Sequence, residues 1–134
     1  MMSMKKLWKL KITPNNTGKL AELICRIYMR FLGYKIIAKN YKTGSGKKNT
    51  CGEIDFIAKK NNRIVFCEVK KRKNKTDFFK ALTPKQQTRI MNGAQAFIKT
   101  HKYYKNHSIQ FDVFFVILPF KIKRIKNAFI IDRT

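Results

Sequence analysis

The spacing of apolar and polar positions predicts a helix near the start of the chain, from about Thr17 to Leu32. Asn16 or Thr17 is its expected N-cap, and Gly33 stands where a glycine commonly ends a helix. One side of this helix carries apolar side chains at spacings of three and four residues, namely Leu20, Ile24, Ile27 and Phe31. We therefore expect that stripe to pack against the rest of the domain.

Runs of strand-forming residues follow the first helix, and a second helix interrupts them. The second helix opens at Thr83, where Gln86 completes a capping box and Pro84 occupies the first helical position. This order predicts an α/β fold in which a mixed β-sheet is flanked by α-helices. The predicted strands are Tyr34 to Asn40, Glu53 to Ala58, Arg63 to Lys70 and Ile109 to Leu118, with one more short strand between Lys121 and Ile131.

The turn at Asn61 and Asn62 predicts a β-hairpin that brings acidic side chains together. In a symmetric hairpin around this turn, Asp55 faces Glu68. By the same pairing Glu53 faces Lys70, and the alternation of side chains places these residues on one face. The opposite face is expected to be core and carries Ile54, Phe56, Ala58, Val65, Cys67 and Val69.

Two carboxylates in direct opposition ordinarily destabilise a sheet, so Asp55 and Glu68 need something that offsets their repulsion. A divalent cation is the most economical explanation, because it converts the repulsion into coordination by oxygen ligands. Lys70, two residues beyond Glu68, can then steady a metal-bound hydroxide or the charge on a phosphate. The alternative is that these are ordinary solvent-facing charges, with Glu53 and Lys70 as a surface pair.

The chain carries 31 Lys and Arg residues against 7 Asp and Glu, which gives a net charge of +24 and a pI near 10.3. A polyanion is the expected partner, with nucleic acid first and an anionic membrane surface or an acidic protein second. The length fits one domain, which we expect to span residues 1–134. Residues 1–16 are expected to form a basic N-terminal extension and residues 43–51 a flexible loop.

The three cysteines, Cys25, Cys51 and Cys67, show no CxxC spacing. Neither a disulfide framework nor a zinc knuckle is therefore indicated, and a reducing, cytoplasmic location is expected. The basic N-terminus lacks the apolar core of a signal peptide. The longest uncharged apolar run, Val113 to Leu118, is far shorter than the ~20 residues of a membrane-spanning helix. We therefore expect no membrane partner.

Two motifs of the hairpin, Gly52-Glu53-Ile54-Asp55 and Phe66-Cys67-Glu68-Val69-Lys70 with Arg72 after it, resemble the signature of the YraN family. These are bacterial proteins with a restriction-endonuclease-like fold of the PD-(D/E)xK type. The resemblance covers Thr17 to Phe129, although the loop from Thr43 to Cys51 looks longer than is usual in the family. Further positions in family order are Gly18, Glu22, Gly33-Tyr34, Asn40, Lys85, Phe111-Asp112-Val113 and Asn127-Ala128-Phe129.

The resemblance implies a restriction-endonuclease-like mixed β-sheet flanked by α-helices. Through the family's likeness to Holliday-junction resolvases and other nucleases, it also implies that Asp55 and Glu68 bind a divalent metal, Mg²⁺ or Mn²⁺. Lys70 is the third member of the motif. Glu53 is interpreted either as a partner of Lys70 or as a residue just outside the metal shell. Asp112 is interpreted as structural, with a site residue as the alternative.

The resemblance further implies a role for Glu22 in the metal shell. On a helical wheel Glu22 lies away from Leu20 and Ile24, on a second stripe of small or apolar residues. A glutamate on that stripe can reach a sheet packed on the same side. An exposed helical glutamate is the common alternative. The second stripe comprises Gly18, Cys25 and Met29.

The expected activity is metal-assisted hydrolysis of phosphodiester bonds in nucleic acid, with branched or structured DNA favoured over RNA. Two alternatives are a nuclease-like protein that binds nucleic acid without cutting it and an RNA-directed nuclease. A homodimer is possible, but no residues mark an interface. The expected catalytic residues are Asp55, Glu68, Lys70 and Glu22. The basic residues expected to contact the nucleic-acid backbone are Lys71, Arg72, Lys73, Lys75, Lys85 and Arg89.

Aromatic and histidine side chains cluster after the second helix, at His101, Tyr103, Tyr104 and His107. They can stack on bases or contact phosphate. Aromatic residues next to a helix end more often cover the core, so we leave these residues out of the predicted site.

Overall fold

The structure of the protein is a computed structural model that describes residues 14–44, 51–72, 82–117 and 121–128. Helices and strands follow one another in the predicted order within these residues. The prediction of an α/β fold is thereby confirmed. The elements are α1 Pro14–Phe31, β1 Lys35–Thr43, β2 Gly52–Lys60, β3 Arg63–Lys71, α2 Pro84–Thr100, β4 Ser108–Ile117 and β5 Lys121–Ile125, with a 3₁₀ turn at Lys102–Tyr104.

The described strands form one mixed sheet in the order β1-β2-β3-β4-β5. Neighbouring strands are antiparallel except β3 and β4, which run parallel. A parallel pair needs a crossover connection, and α2 lies in the chain between these two strands. With α1 on one face and α2 on the other, this is the predicted restriction-endonuclease-like arrangement.

Each face of the sheet has its own hydrophobic core. Because helices cover both faces, the central strands β3 and β4 are apolar along most of their length. Beneath α1 the buried residues are Ala21, Cys25, Met29, Phe56, Ala58, Val65, Cys67, Phe114 and Val116. Beneath α2 they are Ile54, Ile57, Ile64, Phe66, Ile90, Ala94, Phe97 and Phe111.

The helix α1 begins earlier than predicted and packs through a different stripe. It starts at Pro14, so the proposed N-cap at Asn16 or Thr17 is wrong and both residues are helical. The predicted stripe is also wrong, because Ile27 is 41% and Phe31 is 88% exposed. Small side chains on the second stripe allow a close approach to the sheet instead. The fully buried residues of α1 are Ala21, Cys25 and Met29.

Gly33 ends α1 as predicted, with φ at +91°. Its N–H donates to Arg30 O at 3.0 Å, and the Tyr34 N–H donates to Met29 O at 3.0 Å. These two bonds satisfy carbonyl groups at the helix end and form a Schellman motif. Glycine suits this position because it adopts a positive φ without steric cost.

The strand β2 turns over at Asp55, so the prediction that Ile54 and Phe56 share a face is wrong. Ile54 packs in the core beneath α2, whereas Phe56 packs in the core beneath α1. In the register with β1, Asn40 is level with Asp55, between two ladder pairs. Asn40 has φ at +50°, a left-handed conformation that asparagine tolerates better than most residues. Strand alternation is therefore interrupted at Asp55.

Local signals elsewhere are confirmed. The hairpin turns at Asn61 and Asn62, and Asn61 has φ at +52°. The capping box of α2 is formed, because the Gln86 N–H donates to Thr83 Oγ1 and the Thr83 N–H donates to Gln86 Oε1, each at 3.2 Å.

Two predicted segments fall largely outside the described residues. Residues 1–13 of the expected extension and residues 45–50 of the expected loop are not described, while residues 14–16 belong to α1 and Thr43 ends β1. Across the ranges that are described, no helix is long and apolar enough to cross a membrane.

Asp112 is buried at the centre of a hydrogen-bonded network. Its Oδ1 accepts from Gln110 Nε2 at 2.8 Å and from the Asn127 N–H at 3.2 Å, and its Oδ2 accepts from Arg124 Nε at 2.7 Å. A buried carboxylate requires such partners, which supports the interpretation of Asp112 as structural.

Candidate active site

The regular pairing of β2 with β3 ends one residue before Asp55 and Glu68, which a continued ladder would place opposite each other. Their ladder ends at Phe56↔Cys67, in the predicted register. One residue further, Asp55 Oδ2 accepts a hydrogen bond from the Val69 N–H at 2.7 Å. The Asp55 carboxylate therefore reaches the neighbouring strand next to Glu68.

A small cleft of about 120 Å³ opens at this point. It brings together the hairpin residues that were predicted to share a face, and residues from the first turns of α2 complete it. Its lining residues are Glu53, Asp55, Glu68, Lys70, Gln86, Arg89 and Ile90. Two of the predicted metal ligands and the predicted lysine therefore meet in one cavity.

Burial favours the protonated forms of the two central acids. The side chain of Glu68 is only 16% exposed. Burial, and then the negative charge of Asp55, raise the pKa of Glu68 from 4.5 to about 7, although Lys70 opposes this shift. Burial also raises the pKa of Asp55, against the hydrogen bond from Val69. A cation between these crowded carboxyl groups would stabilise their charged forms.

Glu22 reaches Asp55 from α1 and does not line the cleft itself. Its side chain is 20% exposed, and its Oε2 lies 3.9 Å from Arg26 Nη1. Burial first, and then the charge of Asp55, raise the pKa of Glu22 to about 7, while Arg26 lowers it. A hydrogen bond between Glu22 and Asp55 also contributes to the rise in pKa. Glu22 thus turns towards the acids of the hairpin rather than out to solvent.

The basic partners of the acids differ in part from those predicted. Lys70 Nζ lies 3.0 Å from Glu68 Oε1, and both side chains are mostly buried. The predicted pairing of Glu53 with Lys70 is wrong, because Glu53 Oε2 accepts a hydrogen bond from Arg89 Nη2 at 2.8 Å. The symmetric pairing of the hairpin does not reach Glu53, since the regular ladder ends before Asp55. Arg89 instead comes from α2, 36 residues away in the chain.

The basic residues predicted to hold nucleic acid fall in separate places. Arg89 lines the cleft, and Lys85 is exposed one turn earlier on the same helix. Lys71 ends β3 and Arg72 follows it, and neither of them lines the cleft. Two further predicted residues lie outside the described ranges, namely Lys73 and Lys75.

Two glycines allow α2 to lie close enough to β2 to complete the cleft. A Cβ atom at Gly52 would lie 2.3 Å from the backbone nitrogen of Gly93. A Cβ atom at Gly93 would lie 2.9 Å from Ile54 Cγ1. No side chain fits at the first of these contacts, which explains the glycine that opens the first motif. The close packing places Gln86 and Arg89 over the acids.

The described residues contain no group of three or more Asp, Glu, His or Cys side chains already arranged to hold a metal ion. Two carboxylates are nevertheless a suitable set for Mg²⁺, which usually keeps several waters and binds one or two carboxylates together with substrate phosphates. Asp55 and Glu68 supply such oxygen ligands at the cleft. Cys25 is an unsuitable ligand, because burial raises the pKa of its thiol to about 12 and keeps it protonated.

Two residues at the site were missed by the sequence interpretation. Gln86 lines the cleft, but its capping-box spacing with Thr83 was the only signal recognised. Asn40 does not line the cleft, but it lies level with Asp55 and has a left-handed backbone. The sequence places Asn40 in the family order, but a pattern of apolar and polar residues does not reveal a left-handed backbone.

The fold and the cleft together define an α/β protein that carries paired acids and a lysine where its central hairpin opens. The sequence profile of the uncharacterised protein family UPF0102 matches residues 21–116. The chain belongs to this family, the YraN family, as its motifs predicted.

Relatives in this family align over most of the chain. A UPF0102 protein of Rhodopseudomonas palustris is 33% identical over 119 residues, which cover 89% of this chain and 87% of the relative. A UPF0102 protein of Ehrlichia ruminantium is 35% identical over 130 residues, which cover 95% of this chain and 93% of the relative.

Proposed function

We propose that the protein is a metal-dependent nuclease that hydrolyses phosphodiester bonds, with branched or structured DNA as its favoured substrate. The observation that carries this proposal is the cleft in which Asp55, Glu68 and Lys70 meet. Crowded carboxyl groups beside an ammonium group are a suitable setting for a divalent ion and a phosphate. The net charge of +24 supports a polyanionic substrate.

Asp55 and Glu68 would hold the ion, Mg²⁺ or Mn²⁺, by their carboxylate oxygens. When bound, such an ion polarises the scissile phosphate and acidifies a water molecule. Lys70 stays beside Glu68 and donates its N–H groups towards the attacking water or a phosphate oxygen. Glu22 lies beside Asp55 on the side of α1 and shares a hydrogen bond with it while one of the two carboxyl groups is protonated.

Arg89 would bind a phosphate of the substrate at the mouth of the cleft. Its side chain is 46% exposed, and that of its partner Glu53 is 41% exposed. An exposed ion pair of this kind contributes only about 0–1 kcal/mol, so Arg89 can exchange Glu53 for a phosphate at little cost. The planar guanidinium group also matches the geometry of phosphate oxygens.

The crowded acids favour catalysis over simple binding. A surface that only bound nucleic acid would have no use for buried carboxylates, which repel phosphates unless a cation lies between them. Here the acids are buried with raised pKa values, in a chain that is otherwise strongly basic. Such perturbed groups are typical of functional sites.

A cleavage panel tests the proposal. Labelled branched DNA, nicked DNA and structured RNA are incubated with the wild type, Glu68→Ala or Lys70→Ala, in Mn²⁺ or in EDTA. We expect Mn²⁺-dependent cleavage of DNA by the wild type and a loss of about 100-fold or more in both variants. Binding in EDTA should be retained. Glu53→Gln, a change at the same cleft outside the metal shell, is the matched control and should lose only a few-fold.

Two outcomes would contradict the proposal. If the wild type binds every substrate and cleaves none of them in Mn²⁺, the protein is a binding module. If it cleaves only the RNA, the preference for DNA is wrong and the RNA-directed alternative holds.

A further inference from the structure

Tyr103 presents an open aromatic ring at the far end of α2 from the cleft. The residue is 80% exposed. Its ring meets that of Tyr104 edge to face, with centroids 5.2 Å apart and an interplanar angle of 82°. Tyr104 in turn stacks on the buried Phe97 at 5.9 Å and 11°. Tyr104 therefore covers the core as aromatic residues near a helix end commonly do, whereas Tyr103 does not.

The ring of Tyr103 contacts two neighbouring rings and is otherwise largely exposed. Its contacts are with Tyr104 and with the ring of His107, whose centroid lies 6.0 Å away. Tyr104 is fixed by its stacking on Phe97, so the support beneath Tyr103 is rigid. A tyrosine side chain also has few rotatable bonds, which lowers the entropy lost when it binds a flat ligand.

The stretch of chain around Tyr103 is basic and carries no acid. Residues 82–111 include no Asp or Glu. Lys102 and Lys105 flank Tyr103 within three positions, and Lys99 precedes them on the last turn of α2, and all three are exposed. Lys85 is exposed at the start of α2 and Lys99 at its end, and the nine residues between Arg89 and Lys99 are uncharged.

We propose that Tyr103 stacks on an unpaired base of a nucleic acid while Lys102 and Lys105 contact the phosphates beside it. Open aromatic rings between cations are a common platform for single strands, because every base has a flat face on which to stack. A base within a duplex already has its faces covered by its neighbours. The proposal rests on the proposed function only for the class of ligand, and it adds a second subsite that favours single-stranded segments.

The distance between the cleft and Tyr103 sets the length of single strand that can occupy both places. α2 has 17 residues, and the cleft lies beside its first turns. At ~1.5 Å per residue the helix is ~25 Å long, which corresponds to about seven stacked nucleotides at ~3.4 Å each. A substrate that occupies both places therefore needs a single-stranded tail of about that length next to its duplex.

Fluorescence anisotropy in EDTA tests the proposal without any cleavage. The ligands are a labelled blunt duplex and the same duplex with a tail of about ten thymidines, longer than the ~25 Å of α2. We expect Tyr103→Ala to weaken binding of the tailed duplex about fivefold or more and to leave the blunt duplex within about twofold. Tyr103→Phe keeps the ring and should bind both like the wild type.

A matched control and a salt titration complete the experiment. Phe31→Ala removes another exposed aromatic side chain, on α1, and should leave both affinities unchanged. Replacing Lys102 and Lys105 together by glutamine should reduce the slope of log affinity against log salt by about 1.4, since each single-strand phosphate contact contributes about 0.7. Unchanged binding of the tailed duplex by Tyr103→Ala would overturn the proposal. An equal loss for both duplexes would overturn it as well.

The two proposals fail in different ways. A wild type that cleaves nothing in Mn²⁺ but shows the Tyr103 effect in EDTA contradicts hydrolysis and supports the stacking subsite. A wild type that cleaves DNA while Tyr103→Ala binds normally supports hydrolysis and contradicts the stacking subsite. Absence of binding to any nucleic acid would overturn both.

Discussion

Replacing Glu22 by glutamine keeps the shape of the side chain and removes one of the three neighbouring carboxyl groups of Glu22, Asp55 and Glu68. In the wild type, burial and the charge of Asp55 raise the pKa of Glu22 from 4.5 to about 7. The folded state therefore holds the proton of Glu22 more tightly than the unfolded chain does. Below about pH 4.5 both states are protonated, and Glu22 has no effect of this kind on stability.

The destabilisation appears as the pH rises. Between about pH 4.5 and pH 7 the unfolded chain releases the proton first, so the free energy of unfolding falls until the folded state also ionises. The difference between the two pKa values sets an upper limit of ~3.4 kcal/mol. Because the Glu22 side chain is 20% exposed and solvent screens its charge, we expect about half of that limit, ~1–2 kcal/mol.

Urea denaturation of the wild type and Glu22→Gln in EDTA, at about pH 5 and about pH 8, measures the effect. Glu22→Gln should be more stable than the wild type by ~1–2 kcal/mol at the higher pH and by a small fraction of that at the lower pH. Glu53→Gln, which changes an exposed acid, should stay within ~1 kcal/mol at both. A Glu22→Gln protein that is equally or less stable at about pH 8 would show that Asp55 does not crowd Glu22.

Three further changes test the packing around the site by urea denaturation. Gly52→Ala should destabilise the protein by ~1–3 kcal/mol, because its Cβ atom would lie 2.3 Å from the backbone of Gly93. Gly18→Ala, with open space around it in α1, should stabilise the protein by ~0.8–1 kcal/mol. Equal effects of the two substitutions would contradict the tight contact at Gly52. Asp112→Ala should cost ~3–5 kcal/mol because it removes the carboxylate that is paired with the mostly buried Arg124, and a cost below ~1 kcal/mol would argue against the buried network. Asn40→Gly should be tolerated and Asn40→Val should cost ~1–2 kcal/mol, and similar stabilities of the two variants would show that the left-handed backbone at residue 40 is unimportant.

Features that depend on nearby residues could be predicted from the sequence. The capping box joins Thr83 and Gln86, three residues apart, and the structure has both of its hydrogen bonds. The hairpin turn at Asn61 and Asn62 sets the register as far as Phe56 for the same reason. The meeting of Asp55 with Glu68 at the site follows from that register, although their strands are not regularly paired there.

The face of α1 that packs on the sheet could not be predicted from periodicity alone. Apolar residues occupy most of the circumference of this helix, so either of two stripes could be the face that packs on the sheet. The structure buries the stripe of smaller side chains around Cys25, and Phe31 stays exposed on the other. Glu22 lies beside Asp55 because this stripe of α1 faces the sheet.

Contacts between distant segments were also beyond the sequence pattern. The pairing of Glu53 with Arg89 depends on how α2 lies over the hairpin, and the predicted partner of Glu53 assumed a regular strand. The left-handed backbone at Asn40 and the change of face between Ile54 and Phe56 break that assumption. The lining of the cleft therefore depends on local backbone conformation as well as on the position of α2.

Calorimetric titration with Mn²⁺ at about pH 8 tests most directly whether the acids of the hairpin bind a cation. The wild type should give a saturable heat of binding, and Asp55→Asn, which keeps the size of the side chain and removes its charge, should give none. No saturable heat from the wild type, or the same isotherm from both proteins, would contradict a metal site at Asp55 and Glu68.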